Sequence, residues 1–461
     1  MQAIFAGGLI LKVSVENLGP IRYAEFETGK LTIICGLNNS GKTYVTYALY
    51  GFLQFWQSMY HIKIEKEVIK ELKENGVCKI PLSRYTDKSQ EIISDACEKY
   101  RETLPSVFSA HGKLFEGSSF KITVNPCDVV PLNDEVSLGF KPSSSKIAGL
   151  LFHKEKNEKE ITATLFTENT KGEIPDNSIT YYLSQVIKEV VFNCVFPSVF
   201  IASTERTGIS VFRKELNSTR SRLFEQIFDT DAKRNYLINH TFDYALPVER
   251  NINFSRDLES VSKKESFLVK DHKEILDFFT DILGGDFQVA TNSGLYFLPS
   301  KKDVKLTMGE SSSSVRSLLE IGFYLKHEAQ ENDLLIIDEP ELNLHPENQR
   351  KVARLIASLI NCGISVFITT HSDYILRELS NLILLNKKTP HIVQLAEREG
   401  YSQRELIRAS DIKIYAAKEG NDLIQTLVPT VVDEESGILS SCFDDTIDTM
   451  NRIQDEIFFG G

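Results

Sequence analysis

Eight residues at positions 36–43, GLNNSGKT, constrain this chain more than any other segment. They match the phosphate-binding loop G-x-x-x-x-G-K-[ST] and lie between an apolar run at 31–35 and a helix-like segment at 44–55. In such a loop, main-chain N–H groups surround a phosphate and the dipole of the next helix adds positive potential. Lys42 is expected to neutralise the β- and γ-phosphates, and the Thr43 hydroxyl to ligate Mg²⁺, so ATP and Mg²⁺ are the predicted cofactors. The residues expected to contact the nucleotide are Gly36, Asn38, Asn39, Ser40, Gly41, Lys42 and Thr43.

Two further apolar runs, far downstream, each end in residues suited to phosphate chemistry. Residues 334–337 predict a buried strand that leads into Asp338 and Glu339. Asp338 is expected to hold Mg²⁺, and Glu339 to orient and deprotonate the attacking water. Residues 366–370 predict a second strand, and His371 at its end is placed to sense a γ-phosphate. The alternatives are a strand followed by an acidic turn, and an ordinary loop histidine.

A serine-rich segment precedes a predicted apolar helix. Its hydroxyl and free N–H groups would form an anion site at the helix start. The alternative is a serine-rich linker with a good helix cap. The candidate contact residues in this segment are Ser312, Ser313, Ser314 and Arg316.

The spacing of these motifs predicts one nucleotide-binding unit interrupted by a large insertion. We expect the first half of an ATPase head at 1–60, with the phosphate loop, and an insertion domain at 61–288 that contains a helix pair, a small β region and a helical part. The second half of the head, with the serine-rich segment, the acidic strand and His371, is expected at 289–400, and a C-terminal extension at 401–461. The predicted fold class is α/β: a P-loop head with a β-rich N-terminal lobe and an α/β lobe, interrupted by a large mixed, mostly helical insertion.

Composition excludes several classes of protein. With 42% hydrophobic and 25% charged residues, the chain is predicted to be globular, with room for two or three compact units. Its net charge of −12 gives no support to nucleic-acid binding but leaves a local basic groove open. The seven cysteines form no C-x-x-C pair, which favours reduced thiols in a cytoplasm over disulfides or zinc. Residues 4–11 predict a strand rather than a signal peptide, and no run approaches the ~20 apolar residues that span a bilayer, so no membrane partner is expected.

With these motifs in place, the chain resembles the ABC-type AAA ATPases of the SMC/RecF/OLD group. That group has, in this order, a phosphate loop, a serine-glycine signature, an L-L-I-I-D-E-P strand, a short loop and a switch histidine. The resemblance implies that the signature serine, at Ser312 here, contacts a nucleotide bound by a second subunit, so a homo-oligomer is expected. The family's two glycines are replaced by Ser313 and Ser314, which implies slow hydrolysis. The segment 203–206, at the end of a predicted strand, is a candidate for the edge of the active site.

Members of this group differ in whether a nuclease domain follows the ATPase head. Residues 418–422 faintly resemble the opening of the Toprim nuclease domain of OLD-type proteins, but no Asp-x-Asp pair follows. We therefore expect no nuclease in this chain. The remaining resemblance is to stand-alone ATPase subunits of bacterial anti-phage modules, such as the PtuA-type subunit of Septu and the AriA-type subunit of PARIS.

That resemblance implies an oligomeric ATPase sensor and scaffold that controls a separate toxic effector, such as a nuclease. A helix at 443–458 carries an apolar stripe suited to docking a partner, or to packing on its own core. Two other functions stay open: a RecF-like DNA-repair ATPase stimulated by DNA, and an interaction module with structural ATP. Whether nucleic acid is bound, and the position of the family's Q-loop, are not fixed by the sequence.

Overall fold

The computed structural model describes residues 10–140, 148–167, 174–213, 215, 244–290, 294–419, 425–439 and 444–459. Parts of four sequence-based predictions lie outside these residues: the strand at 4–11, the insertion at 61–288 with its helical part, the segment 418–422 and the first residue of the helix at 443–458.

The strands form one large sheet and three small ones. In chain order they are β1 Lys12–Leu18, β2 Ile21–Glu27, β3 Leu31–Gly36, β4 Val77–Pro81, β5 Ser119–Thr123, β6 Val136–Phe140, β7 Ala148–Lys154, β8 Glu160–Thr167, β9 Val199–Ala202, β10 Gly285–Ala290, β11 Gly294–Pro299, β12 Leu306–Thr307, β13 Leu334–Asp338, β14 Ser365–Thr370, β15 Ile412–Glu419, β16 Gln425–Pro429, β17 Val431–Asp433 and β18 Gly437–Leu439.

The α-helices cover both faces of the large sheet and build much of the insertion. In chain order they are α1 Lys42–Ser58, α2 Lys66–Asn75, α3 Ser83–Thr86, α4 Ser89–Arg101, α5 Leu104–Phe108, α6 Asp176–Ile187, α7 Arg206–Val211, α8 Leu246–Arg256, α9 Leu258–Val261, α10 Phe267–Asp271, α11 Lys273–Leu283, α12 Ser313–Phe323, α13 Pro346–Asn361, α14 Asp373–Leu385, α15 Pro390–Arg398 and α16 Asp444–Phe459.

The large sheet has the strand order β5-β1-β2-β16-β15-β3-β14-β13-β9. From β15 to β9 every neighbouring pair is parallel, whereas β1 pairs antiparallel with β2 and β5. The sheet therefore has a β-rich half and an α/β half, which confirms the predicted fold class. Among the described residues, no helix is long and apolar enough to cross a membrane.

The central strands are apolar on both faces because the sheet separates two cores. Along β3, Ile34 faces one core and Ile33 the other, and along β13 Ile336 and Leu335 divide in the same way. Side chains alternate between faces along a strand, so a strand covered on both sides reads as a continuous apolar run. This burial is why the runs next to the motifs were recognisable in the sequence.

The large sheet draws strands from all four predicted domain ranges. β5 and β9 come from the range 61–288, and β15 and β16 from the range 401–461. β15 lies beside the phosphate-loop strand β3, so part of the expected C-terminal extension belongs to the centre of the head. The predicted boundary at 289 falls within β10, the first strand of a separate antiparallel sheet, β10-β11-β12, which precedes α12 in the chain.

Asp333, the residue directly before β13, allows a test of how a buried carboxylate affects the stability of the fold. Its carboxylate accepts hydrogen bonds from the Tyr324 hydroxyl (3.0 Å) and the Gln330 N–H (2.9 Å), and burial raises the pKa of Asp333 from 3.8 to about 6. Because the folded pKa is raised, its contribution to stability is complete below pH 3.8 and is lost as the pH rises through about 6.

We expect Asp333→Asn to stabilise the protein at pH 7.5 by up to about 3 kcal/mol, because it keeps the accepting oxygen and removes a desolvated charge. The gain should shrink as the pH falls from 6 towards 4. Urea unfolding of both proteins across this pH range measures it. A difference that does not change with pH would contradict the assignment.

Candidate active site

The predicted site residues follow neighbouring parallel strands. The carboxyl ends of β3, β14, β13 and β9 meet at one edge of the sheet, where open α/β sheets bind their ligands. At this edge the phosphate loop follows β3, Asp338 ends β13 and His371 follows β14. Segments far apart in the sequence are thus brought to one place.

The loop needs glycine at two positions. Gly36 has a φ of 146°, and a Cβ there would lie 2.7 Å from the Ala417 carbonyl oxygen. Gly41 has a φ of 85°, and a Cβ there would lie 2.6 Å from Cγ1 of Ile21. Both are conformations that only glycine adopts without strain, and both allow close packing of another strand against the loop.

Lys42 is folded back onto its own loop. Its ammonium donates to the carbonyl oxygens of Gly36 (3.1 Å) and Leu37 (2.7 Å), and the residue is 5% exposed. Burial lowers the pKa of Lys42, and the nearby carboxylates of Glu339 and Asp338 oppose this shift. A phosphate entering the loop would offer these donors charged acceptors in place of carbonyls.

Asp338 presents an unsatisfied oxygen at the end of β13. It is 1% exposed, its Oδ1 accepts a hydrogen bond from the Thr369 hydroxyl, and its Oδ2 has no hydrogen-bond partner. Burial raises the pKa of Asp338 to about 6. A buried carboxylate oxygen without a partner, beside a loop that carries Thr43, fits the oxygen ligands that Mg²⁺ prefers.

Glu339 and His371 are in direct contact. His371 Nε2 lies 2.9 Å from Glu339 Oε1, and His371 Nδ1 lies 2.8 Å from the Gly36 carbonyl oxygen. His371 Nδ1 also lies 3.5 Å from the Lys42 ammonium, so the ring bridges the phosphate loop and the Glu339 carboxylate. The hydrogen bond from His371 lowers the pKa of Glu339.

Glu341 holds the histidine from behind, a role that sequence reasoning missed. Its Oε1 accepts the His371 N–H (2.6 Å) and the Thr370 hydroxyl (2.9 Å). Burial raises the pKa of Glu341. In the sequence it was only one residue of the loop after the acidic strand, and its spacing from His371 gives no signal.

These groups line an open cleft of about 650 Å³. Its wall contains most of the predicted nucleotide contacts together with Glu339 and His371, whereas Gly36 and Asp338 are buried and do not line it. The lining residues are Pro20, Asn38, Asn39, Ser40, Gly41, Lys42, Thr43, Tyr44, Glu339 and His371.

The serine-rich segment lies elsewhere. Ser312 caps α12, accepting the Val315 N–H at 3.4 Å, and its hydroxyl is 2.8 Å from that of Ser314. The Arg316 guanidinium donates to the carbonyl oxygens of Met308 and Ser311. None of Ser312, Ser313, Ser314 and Arg316 is among the residues that line the cleft. The structure therefore does not bring this segment to the phosphate loop of its own chain.

The segment 203–206 does reach the acidic strand. The Arg206 guanidinium donates to the carbonyl oxygens of Asp338 and Glu339 at 2.7 Å each. The neighbouring Glu205 accepts a hydrogen bond from Tyr47 of α1 at 3.3 Å. β9 carries this segment to the edge because it pairs in parallel with β13.

A phosphate loop, an acidic strand end and a histidine around one cleft define a P-loop nucleoside-triphosphatase head. A family model described as "AAA ATPase domain" matches residues 9–376, and the chain belongs to this family of ATPases. No curated protein matches the chain.

Solved structures of SMC head domains are similar to the chain at low identity. One, an SMC head bound to the C-winged helix domain of ScpA, has a TM-score of 0.35 and 11% identity, covering 91% of this chain and 98% of that one. The SMC head domain from Thermotoga maritima has a TM-score of 0.32 and 10% identity, covering 92% and 100%. An SMC head with an extended coiled coil, bound to the C-terminal domain of ScpA from Pyrococcus furiosus, has a TM-score of 0.31 and 14% identity, covering 97% and 99%.

Lys42→Ala tests the phosphate loop. Removing the ammonium should weaken ATP binding by about 3 kcal/mol, because a charge-assisted hydrogen bond is lost in a desolvated site, which is roughly a hundredfold in Kd. Isothermal titration with a non-hydrolysable ATP analogue measures this. Lys305→Ala, at an exposed lysine, is the matched control, and unchanged affinity in Lys42→Ala would contradict the assignment.

Proposed function

We propose that this chain is an ABC-type ATPase that binds ATP with Mg²⁺, hydrolyses it slowly, and acts as an oligomeric sensor and scaffold. In this proposal it controls a separate toxic effector, such as a nuclease, in the cytoplasm of a bacterium defending itself against phage. The observation that carries the ATP-sensing part is the His371 ring, which joins the Gly36 carbonyl of the phosphate loop to Glu339. The defence role rests on the motif resemblance.

In the structure, the groups that would act on ATP satisfy one another. Lys42 bonds to its own loop, and His371 holds the Glu339 carboxylate. A γ-phosphate in the cleft offers new acceptors to both Lys42 and His371, so its arrival would release Glu339 to take a proton from water. Thr43 and Asp338 would hold Mg²⁺, whose charge would help to neutralise the phosphates. ATP occupancy would thereby be converted into a rearrangement of His371 and Glu339.

Slow hydrolysis is supported by the start of α12. The resemblance implies glycines after the signature serine, and here Ser313 and Ser314 follow Ser312. The Ser312 and Ser314 hydroxyls bond to each other, 2.8 Å apart, so Ser312 would have to exchange this partner for a phosphate oxygen. Two extra side chains at this point would also hold a second subunit further away.

A homo-oligomer is supported by where the signature residues lie. Ser312 and Ser313 are exposed, and they do not line the cleft of their own chain. If they contact a nucleotide, that nucleotide is bound by another copy. The site proposed here is therefore complete only in an assembly of at least two subunits.

Effector docking is supported by α16. Met450, Ile453 and Ile457 are 65%, 46% and 75% exposed and follow one another at helical spacing on one face. The predicted alternative, packing against the chain's own core, would have buried them. A separate effector protein is the partner that we assign to this stripe.

Glu339→Gln tests the proposed base. The amide cannot accept the proton from water, so kcat should fall by about 10² to 10⁴-fold while ATP binding persists. The assembly should then be held in its ATP-bound state. Phosphate release and filter binding of labelled ATP measure the two effects, with the exposed Glu347→Gln as the control. Normal turnover in Glu339→Gln would remove Glu339 from this role.

The assembly itself is the broadest test. The mass of the purified protein in solution, with and without ATP·Mg²⁺, should show a stable assembly larger than a dimer. Phosphate release should be slow and indifferent to added DNA. A monomer that dimerises only with ATP and hydrolyses faster on DNA would instead support the DNA-repair alternative.

A further inference from the structure

Arg206 is a fully buried arginine whose hydrogen bonds all run to main-chain carbonyl groups. It is 1% exposed. Its Nη1 donates to Ser203 and Asp338 at 2.7 Å each, its Nη2 to Glu339 at 2.7 Å, and its Nε to Ser317 at 2.8 Å. One planar group thus joins three elements: the end of β9, the acidic end of β13, and α12.

The guanidinium is not held by an ordinary ion pair. Burial lowers the pKa of Arg206, and the charges of Asp338 and Glu320 oppose this shift. Glu320 is itself 1% exposed, and neither of its carboxylate oxygens has a hydrogen-bond partner. Among the described residues, the carbonyl groups are what hold the guanidinium in place, and their positions are fixed by it in return.

The most constrained of these carbonyls belongs to Glu339. This residue has a φ of 52°, in the left-handed region, which a non-glycine residue keeps only where its surroundings fix it. Its N–H donates to the carbonyl and hydroxyl oxygens of Thr369 at 3.2 Å each, and its carbonyl accepts from Arg206. The peptide groups on the two sides of the Glu339 Cα are therefore both anchored, which directs the side chain at His371.

The fourth bond reaches the helix that begins at the signature serine. Ser317 lies in α12, and its hydroxyl donates to the Ser314 carbonyl at 2.9 Å. A shift of the start of α12 would therefore move the Ser317 carbonyl against Arg206. Because the same guanidinium also donates to the Glu339 carbonyl oxygen, Glu339 would move with it.

We infer that Arg206 is a positioning residue that sets the orientation of Glu339 and couples it to α12. When Ser312 contacts a nucleotide bound by a second subunit, the orientation of Glu339 in this subunit's own site would then change. This inference rests on the proposed function, because it assumes that Glu339 acts on bound ATP and that Ser312 acts in trans. Arg206 itself touches neither the nucleotide cleft nor the reacting atoms.

Arg206→Lys tests the inference, because lysine keeps the charge but cannot span three elements with a planar fork. We expect kcat to fall by about tenfold or more, the Kd for a non-hydrolysable ATP analogue to stay within about threefold, and the Hill coefficient for ATP to fall towards 1. Arg213→Lys is the control, since Arg213 is also buried and donates to a carbonyl, that of Ser255. The control should keep both its kcat and its cooperativity.

Three results would overturn the inference. The first is wild-type kcat and cooperativity in Arg206→Lys. The second is a loss of kcat matched by an equal loss of affinity and thermal stability, which a purely structural role would give. The third is the same loss in Arg213→Lys. If the wild-type protein neither binds nor hydrolyses ATP, the proposed function fails as well, so the two failures are distinguishable.

A second measurement does not depend on the folding of Arg206→Lys. The exposed Ser312→Arg substitution should block contact in trans and leave each chain with only its own site. In this variant, a non-hydrolysable ATP analogue should slow amide hydrogen exchange in α12, with α15 as the reference helix. Unchanged exchange in α12 would show that the nucleotide site and this helix are not coupled within one chain.

Discussion

The parallel register of β3, β14 and β13 is the constraint on which the site depends. Thr369 of β14 lies opposite Ile34 on one side and opposite Asp338 on the other. From this central place, its hydroxyl donates to the Asp338 carboxylate and its carbonyl oxygen accepts the Glu339 N–H at 3.2 Å. A one-residue slip of β14 would turn Thr369 to the opposite face of the sheet. Such a slip would also move Phe367 out of one core and Val366 and Ile368 out of the other, so the close packing of the two cores opposes it and fixes the geometry of the acidic residues.

The same edge of the sheet carries several buried or half-buried carboxylates, whose negative charge must be compensated by nearby cations. Asp338, Glu339 and Glu341 come from one short stretch, and all three are wholly or partly removed from water. Lys42 and Arg206 compensate for them, but each of these cations bonds to carbonyl oxygens rather than to a carboxylate. The acids are therefore held near the cations without being consumed in ion pairs. That leaves Asp338 Oδ2 without a hydrogen-bond partner, and the Glu339 carboxylate paired with His371 rather than with Lys42 or Arg206.

The sequence predicted the parts of the site that have local signals. The strands at β3, β13 and β14 were recognisable because each is an apolar run that ends in a motif. β15 was not placed, because an alternating strand does not reveal its neighbour. Its parallel pairing with β3, and the packing of Ala417 against Gly36, show that it belongs beside the phosphate loop. Arg206 was proposed only as part of an active-site edge, because a side chain that bonds to carbonyl groups leaves no complementary residue at a readable spacing.

The position of the signature segment, outside the nucleotide cleft of its own chain, is consistent with the proposed ATP-dependent scaffold. A γ-phosphate would displace contacts within one chain at His371, and would gain contacts from another chain at Ser312. Arg206 links these two events because it bonds both to Glu339 and to α12. If Ser313 and Ser314 slow the reaction, the ATP-bound assembly persists for longer between turnovers. A scaffold that retains or releases an effector needs such a long-lived state more than it needs rapid turnover, so occupancy of the cleft, rather than the products of hydrolysis, would be its signal.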